Sequence, residues 1–589
     1  MTRLRFLLLA AVAAAALPVA PAVAGDARLA RGQAKHALPT MLSQSERENY
    51  RAIFASIRGA NWGDAATRLD GTQPGLLHNA ARAELYLAKG SPTVSLDQLL
   101  TLIAVAPDLP QAAQLSRLAT TRGATSLPNI PVAQNLVWAG SQPRRGRARS
   151  TSTDPLARAL DAKIQPLIVG DQPVTAEALL ASEGYNLPLE TQTEFRQRIA
   201  WSYYIIGADR DAKRLADVAR GGSGEWALQA AWVSGLAAWR MHDCNAAGDA
   251  FATVGSRSGD PELMAAGNYW AARADMMCGR PERVQARLRT ASRLKETFYG
   301  LIAASALGIR APGFSELHDF RDAEWQRIGS KPNVRAALAL AEIGETGLAD
   351  TFIRHQARIG GNADHDAMLH LASDLNLAST QYWLAHNAPR GARVNYGARY
   401  PMPGWTPTGG WRVDQSLVFA HTLQESNFRT EVVSPAGAVG LMQVRPGTAS
   451  DIARWSGRPF SRDQLTNPAG NMEYGQSYLE YLRGQGGTGG LLPKVIAAYN
   501  AGPAPIAEWN LRNMDRGDPL LYIESIPYWE TRGYVPIVLR NYWIYEEKAD
   551  KTSTSRKALA QGMWPRFPGM SGPTAVRITP RPTQAAASD

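Results

Sequence analysis

The sequence predicts an all-α protein in two parts, a long N-terminal helical solenoid and a smaller, mostly helical C-terminal domain. Three observations predict it. From about residue 40 to 390 the chain is rich in Ala, Leu and Arg, and apolar residues recur at helical spacing with short breaks at Gly, Pro and Asp. The two cysteines, Cys244 and Cys278, stand 34 positions apart in consecutive segments that each read as a helical hairpin, which is a helical-repeat period. The stretch PMPGWTPTGG, Pro401 to Gly410, then interrupts the pattern before a new periodic segment begins. With 589 residues and 45% apolar content, the chain is large enough for two or more domains.

The first residues read as an export signal. Arg3 and Arg5 give a positive start, Phe6 to Leu17 is apolar but short for a membrane span, and Ala22-Val23-Ala24 is a small-residue cleavage site before Gly25. No later apolar run approaches the roughly 20 residues a spanning helix needs. The expected mature protein is soluble and exported. Its formal charge of +11 falls to about +9 without the signal. Outside the cytoplasm such a charge favours a cell-wall polymer bearing carboxylates over nucleic acid, unless it serves solubility alone. Two cysteines in an oxidising compartment form either one disulfide or two buried thiols in neighbouring helices. No Cys/His cluster has metal-ligand spacing, and neither a metal nor a cofactor is expected.

Within the solenoid, DQLLTLIAVAPDLPQAAQLSRLA, Asp97 to Ala119, is representative: a helix, a Pro-bounded turn, another helix. Such units stack because no single hairpin buries its own apolar face. Trp226 and Trp232 recur at helical spacing and read as core. One stretch departs from the pattern. GSQPRRGRARSTSTD, Gly140 to Asp154, is basic and nearly free of apolar residues, so the expectation is a flexible exposed loop. After about residue 550 the chain turns polar and Pro-rich, and residues 551–589 are expected to form a disordered tail.

In the second part, Val413 to Asn427 reads as a helix with Val418, His421 and Glu425 on one stripe. Glu425 falls in its last turn. The negative end of the helix dipole and partial burial both disfavour the carboxylate anion there, which suits a general acid. SPAGAVGLMQ, Ser434 to Gln443, follows; Gly437 and Gly440 are expected to let the backbone approach a ligand. Then come an amphipathic helix entered through Asn-Pro, Leu465 to Leu482, an apolar helix ending Tyr-Asn-Ala-Gly-Pro, Val495 to Pro503, and a segment dense in aromatics and carboxylates, Tyr522 to Leu539.

Five blocks in this order, Glu425-Ser426, Gly440-Leu441-Met442-Gln443, Asn471 with Gly475, Ala498-Tyr499-Asn500-Ala501-Gly502, and Ile526-Pro527 with Glu530-Thr531-Arg532-Gly533-Tyr534-Val535, resemble the motifs of the large soluble lytic transglycosylases. The resemblance covers about residues 405 to 550. ETFYGLIAASALG, Glu296 to Gly308, is similar more weakly to that family's superhelical body and linker. The resemblance implies a lysozyme-like catalytic domain at 405–550 on an α-superhelical, often ring-shaped body and linker at 25–395, with the signal peptide at 1–24. It implies cleavage of the β-1,4 bond between N-acetylmuramic acid and N-acetylglucosamine in peptidoglycan without water. The muramic 6-hydroxyl attacks its own anomeric carbon and leaves a 1,6-anhydro end.

On that reading Glu425 is the catalytic acid and then base. A hydrolase of the usual kind needs a second carboxylate, and Glu431, Asp451, Asp463 and Glu473 sit in no recognisable catalytic motif. Tyr499 is expected to orient Glu425 or the substrate N-acetyl group. Gln443 and Met442 are expected to contact sugar, Ser434 and Ser426 to touch substrate or brace their segments, and Glu530 to line the groove. Glu524 is expected to be structural, paired with Arg532. The implied partner is the peptidoglycan strand, with other wall enzymes as candidates, no nucleic acid, a monomeric state and a periplasmic location. Two rivals stand beside this: a muramidase hydrolysing the same bond, and an inactive wall-binding scaffold.

Overall fold

The computed structural model describes residues 38–309, 317, 320–392, 395–512 and 514–578. The expected signal peptide lies outside them. Among the described residues the chain forms 27 α-helices, three short 3-10 helices and two antiparallel pairs of two-residue strands. Local chemistry sets many of the helix starts. Ser43 and Ser95 open Gln44–Arg58 and Leu96–Val105 with capping boxes to Glu46 and Gln98. Asp154 and Asp260 cap helices whose first residues are Pro155 and Pro261.

The solenoid does not run as an open rod. The first five helices, Gln44–Arg58 to Ala112–Thr121, share one hydrophobic core with helices from Pro332–Glu342 to Ala378–His386, more than 200 residues later. Glu342 joins the two ends by accepting from Met41 N at 2.6 Å and pairing with Arg47 at 3.1 Å. The middle of the body, from Pro155–Val169 to Phe298–Ala306, belongs to a second core that is continuous with the C-terminal domain. There Phe298 stacks on Trp543 at 5.2 Å. Trp226 and Trp232 are buried in the body, and Cys244 and Cys278 are disulfide-bonded between consecutive hairpins.

Residues 140–154 correct the expectation of a flexible loop. They form a strap pinned across the second core, to the middle of the body and to the C-terminal domain. Arg145 forms an ion pair with Glu524 at 2.6 Å, Gly146 N donates to Asp260 at 2.5 Å, and Thr151 N donates to Glu194 at 2.6 Å. Arg149 O accepts from Trp226 Nε1 at 2.7 Å, and Arg540 donates to Pro143 O. A polar, basic composition means solvation only where the polar groups find no protein partners, and here buried acids supply them.

The tail expectation is corrected likewise for 551–578. A helix, Thr554–Ala560, and a strand pair, Trp564–Pro565 with Ala575–Val576, pack on the C-terminal domain. Leu559, Trp564 and Phe567 are buried, and Trp564 Nε1 donates to Gly517 O at 2.8 Å. Three well-spaced apolar anchors suffice to fix a Pro-rich segment whose average composition is polar. Residues 579–589 lie outside the described chain.

Candidate active site

Glu425 sits in the last turn of Gln415–Ser426, as the periodicity predicts. Asn427 ends the helix in the left-handed conformation, φ 50°, one of the few non-glycine residue types that enters it readily. Phe428 follows at φ 63° with its ring buried against Trp405 and Phe419. That sharp reversal leaves Glu425 half-buried at the end of an otherwise buried helix.

The long helix Trp529–Lys548 packs across Gln415–Ser426 and delivers Tyr534. Its hydroxyl donates to Glu425 Oε1 at 2.6 Å and lies 2.8 Å from His421 Nδ1. Tyr534 has one proton, and Glu425 receives it, so Nδ1 of His421 carries a hydrogen and donates in turn. Burial pushes His421 down to about 3, so the imidazole is neutral and the chain His421, Tyr534, Glu425 carries no positive charge. Burial is also the main influence on Glu425 and pushes its carboxyl up to about 7; the Tyr534 hydrogen bond pulls it down and the charge of Glu530 pushes it up. The result is an acid that is partly protonated at neutral pH, with a donor ready for its anion.

Tyr499, in Leu492–Ala501, packs its ring on His421 at 4.5 Å. Its hydroxyl donates to Met442 O at 2.8 Å rather than to Glu425. It therefore ties the Met442-Gln443 turn to the floor beneath the acid. Glu530 lies exposed in the first turn of Trp529–Lys548, one helical turn before Tyr534, and accepts from Asn500 at 3.4 Å. Glu425, Tyr499 and Glu530 thus converge on one place.

Among the other expected sugar contacts, the structure corrects Met442 and shows bracing bonds at Gln443, Ser434 and Ser426. Met442 is fully buried, and an added Cβ on Gly475 would stand 2.1 Å from its sulfur, so its side chain is core and not a wall of the groove. Gln443 uses Nε2 to donate to Val432 O at 3.1 Å and Gly440 O at 2.9 Å, bracing a turn in which its own φ is 49°. Ser434 Oγ accepts from Ala438 N at 3.0 Å and closes the turn tipped by Gly437. Ser426 donates to Thr422 O at 3.2 Å, the helix-end bond. Gly440 serves the interior: its Cβ would come within 2.1 Å of Leu465 O and 2.4 Å of Asn471 Nδ2. Fully buried Asn471 needs that space, because it accepts from Met442 N at 2.8 Å and donates to Val439 O and Leu465 O. Glu524 is buried and structural, but it pairs with Arg145 and Tyr299, the latter at 2.7 Å, while Arg532 donates to Ile526 O.

Tyr534 and the relay role of His421 were not assigned from sequence. The signal was present in part, since His421 precedes Glu425 by one helical turn and Tyr534 follows Glu530 by one. What the sequence does not show is that these two helices cross at those residues.

Fold and site together define a helical-solenoid protein whose last domain holds a half-buried acid at a helix end, raised to about 7. Residues 407–521 match the family model described as the transglycosylase SLT domain. Over 134 residues the chain is 42% identical to the soluble lytic murein transglycosylase of Escherichia coli K12, a stretch of 22% of this chain and 20% of that protein. The aligned region therefore spans about a fifth of the curated relative. The whole fold is similar to the crystal structure of the 70 kDa soluble lytic transglycosylase of E. coli, with TM-score 0.52 and 18% identity over 89% of this chain and all of that one. It is also similar to an inactive glutamate-to-glutamine mutant of lytic transglycosylase Slt from Pseudomonas aeruginosa, with TM-score 0.51 and 19% identity over 87% and 88% of the two chains. This chain thus carries an SLT domain on a superhelical body, and that domain has the lysozyme-like helical fold.

Proposed function

We propose that this protein is a peptidoglycan lytic transglycosylase that cleaves the β-1,4 bond between N-acetylmuramic acid and N-acetylglucosamine without water. The observation that carries the reading is Glu425, a carboxyl raised to about 7 with the Tyr534 hydroxyl on its Oε1. Protonated Glu425 gives its proton to the leaving glycosidic oxygen. The Tyr534 hydroxyl then stabilises the carboxylate that forms. The substrate's own N-acetyl group supports the cationic centre, in place of an enzymic nucleophile. The Glu425 anion takes the proton of the muramic 6-hydroxyl as that oxygen closes on the anomeric carbon. One residue serves as acid and then base, and no proton is left over. The SLT-domain match and the inactivating glutamate-to-glutamine exchange in a structural relative support the same reading. A signal at 1–24 would place the enzyme in the periplasm, where it would turn over cell wall.

Glu530 favours one second reading. Its charge is felt at Glu425, so it is the carboxylate best placed to activate water in a muramidase. Mass spectrometry of fragments released from purified sacculi separates the two. Fragments one water lighter and resistant to borohydride are expected from the wild type, and none from Glu425→Gln. Reducible ends would make it a hydrolase, and no fragments from folded wild type would favour a scaffold.

A further inference from the structure

Two aromatic rings stand exposed together on the C-terminal domain. Trp455, the last residue of helix Pro446–Trp455, is 59% exposed, and Tyr481, near the end of Pro468–Arg483, is 37% exposed. Their rings stack at 5.0 Å with 28° between the planes. Ala449, Ile452 and Ala453 seat the first of these helices on the core and leave Trp455 outside it. Its indole N–H has no hydrogen-bond partner among the described residues. Large apolar side chains exposed singly are ordinary on a protein surface, whereas a contiguous aromatic patch marks an interaction site.

The pair continues inward to the acid. Tyr478, one helical turn before Tyr481, lies 6.1 Å from it with 13° between the planes. Tyr478 meets Tyr499 at 5.5 Å, and Tyr499 packs on His421 at 4.5 Å, in the floor beneath Glu425. Four aromatic rings thus form one file from the acid to the surface, in steps of 5.5, 6.1 and 5.0 Å. Exposure grows along it: Tyr499 and Tyr478 are half-buried, and Tyr481 and Trp455 are exposed. The helix that carries the two middle rings also carries Asn471, which accepts from Met442 N at 2.8 Å, while Tyr499 donates to Met442 O at 2.8 Å. The file and the turn beside the acid therefore share one support. A pyranose ring presents C–H groups on its faces and hydroxyls on its edge. The first pack on aromatic rings, and the second pair with indole and phenol groups. Rings in nearly even steps suit a polymer of repeated sugars better than one small ligand.

We propose that Trp455 and Tyr481 form a distal sugar site, which grips the glycan strand beyond the sugars flanking the cleaved bond and makes the protein prefer long strands. The identity of the occupant rests on the reading of Glu425 as a glycan-cleaving acid, with which the file is continuous. A strand that reaches Trp455 is held at two places, so its affinity exceeds that of a fragment filling only the sites beside the acid.

The test is calorimetric titration of the full chain carrying Glu425→Gln, so that binding is read without turnover, with cleavage by the unsubstituted chain measured on the same probes. The probes are a peptide-free octasaccharide and a tetrasaccharide of alternating N-acetylglucosamine and N-acetylmuramic acid. The octasaccharide is expected to bind at least about tenfold more tightly than the tetrasaccharide. Adding Trp455→Ala should remove most of that advantage, Tyr481→Ala should reduce it, and Trp455→Phe should keep most of it. Trp455 is exposed at a helix end, so its truncation does not threaten the fold. Equal affinity for the two lengths would overturn the proposal. So would a length preference unchanged in both alanine variants, or an equal loss for both lengths, which would make the rings structural. A retained, Trp455-dependent length preference in a chain that cleaves neither probe would refute the cleavage reading and leave the sugar site standing.

Discussion

Replacing Tyr534 by Phe removes one atom and tests the site's central claim. That oxygen donates to Glu425 at 2.6 Å and accepts from His421 at 2.8 Å. A hydrogen bond to a charged, half-buried group contributes about 1.5–3 kcal/mol, and each pKa unit is 1.36 kcal/mol. The bond favours the anion, so its loss raises Glu425 above its value of about 7 by about one to two pH units. The acid form is the one that starts the reaction. Activity should therefore fall in the wild type as pH rises through about 7, and in Tyr534→Phe only through about 8–9.

The assay is kcat/KM on solubilised glycan strands across pH 5 to about 10, which reports the free enzyme. The maximum rate should drop as well, because the carboxylate formed after proton transfer has lost its donor. The variant also leaves the Nδ1–H of His421 unpaired, at a cost of about 1–3 kcal/mol in stability, which denaturant unfolding measures. An alkaline limb that stays at its wild-type position would refute the relay, and Tyr534 would then be packing.

Three further outcomes are expected. A carboxyl that titrates at about 7 when folded and at 4.5 when unfolded stabilises the fold fully below pH 4.5, and that contribution is lost as pH rises through about 7. Glu425→Gln should therefore gain on the wild type between pH 5 and 8, by up to about 3 kcal/mol, in denaturant unfolding at the two values; a pH-independent difference would contradict burial as the cause. Arg145→Ala should cost about 3–5 kcal/mol because Glu524 stays buried without its cation, and adding Glu524→Gln should recover part of the loss. Breaking the Cys244–Cys278 bond, which closes a loop of 34 residues, should cost about 3–4 kcal/mol, read as the difference in unfolding between the wild type and the double Ser variant.

The parts legible in the sequence are those set by local periodicity and by short motifs. Helix Gln415–Ser426 with Glu425 in its last turn, the Asn467 cap before Pro468, and the Gly502 break after Leu492–Ala501 all follow from neighbours in the chain. The errors have a common physical source in partners distant in sequence. The strap reads as solvated because Glu524, Asp260 and Glu194 lie 40 to 380 positions away. Gly440 and Met442 read as ligand-facing because nothing near them announces that Asn471 and Gly475 fill the space. A motif can mark a catalytic region without telling which of its side chains face the substrate and which hold the loop that does. Here Met442 holds.

The two cores explain why so small a site stands on so large a body. The middle helices of the body do not merely carry the C-terminal domain; they complete its core, with Phe298 against Trp543 and Tyr299 on Glu524. Trp543 and Tyr534 belong to the same helix, Trp529–Lys548. The strap adds Arg145 to Glu524, and Arg540 of the same long helix pairs with Glu262 of the body at 3.4 Å, where three parts of the chain meet. Buried charges of this kind are costly unless every partner is in place, so they favour one docking of body on domain over its near alternatives. One helix then carries both Tyr534 and the residues that dock on the body, and with them the hydroxyl that pulls Glu425 down. Preorganisation of that donor needs the body's core, which the 115 residues of the SLT match do not contain.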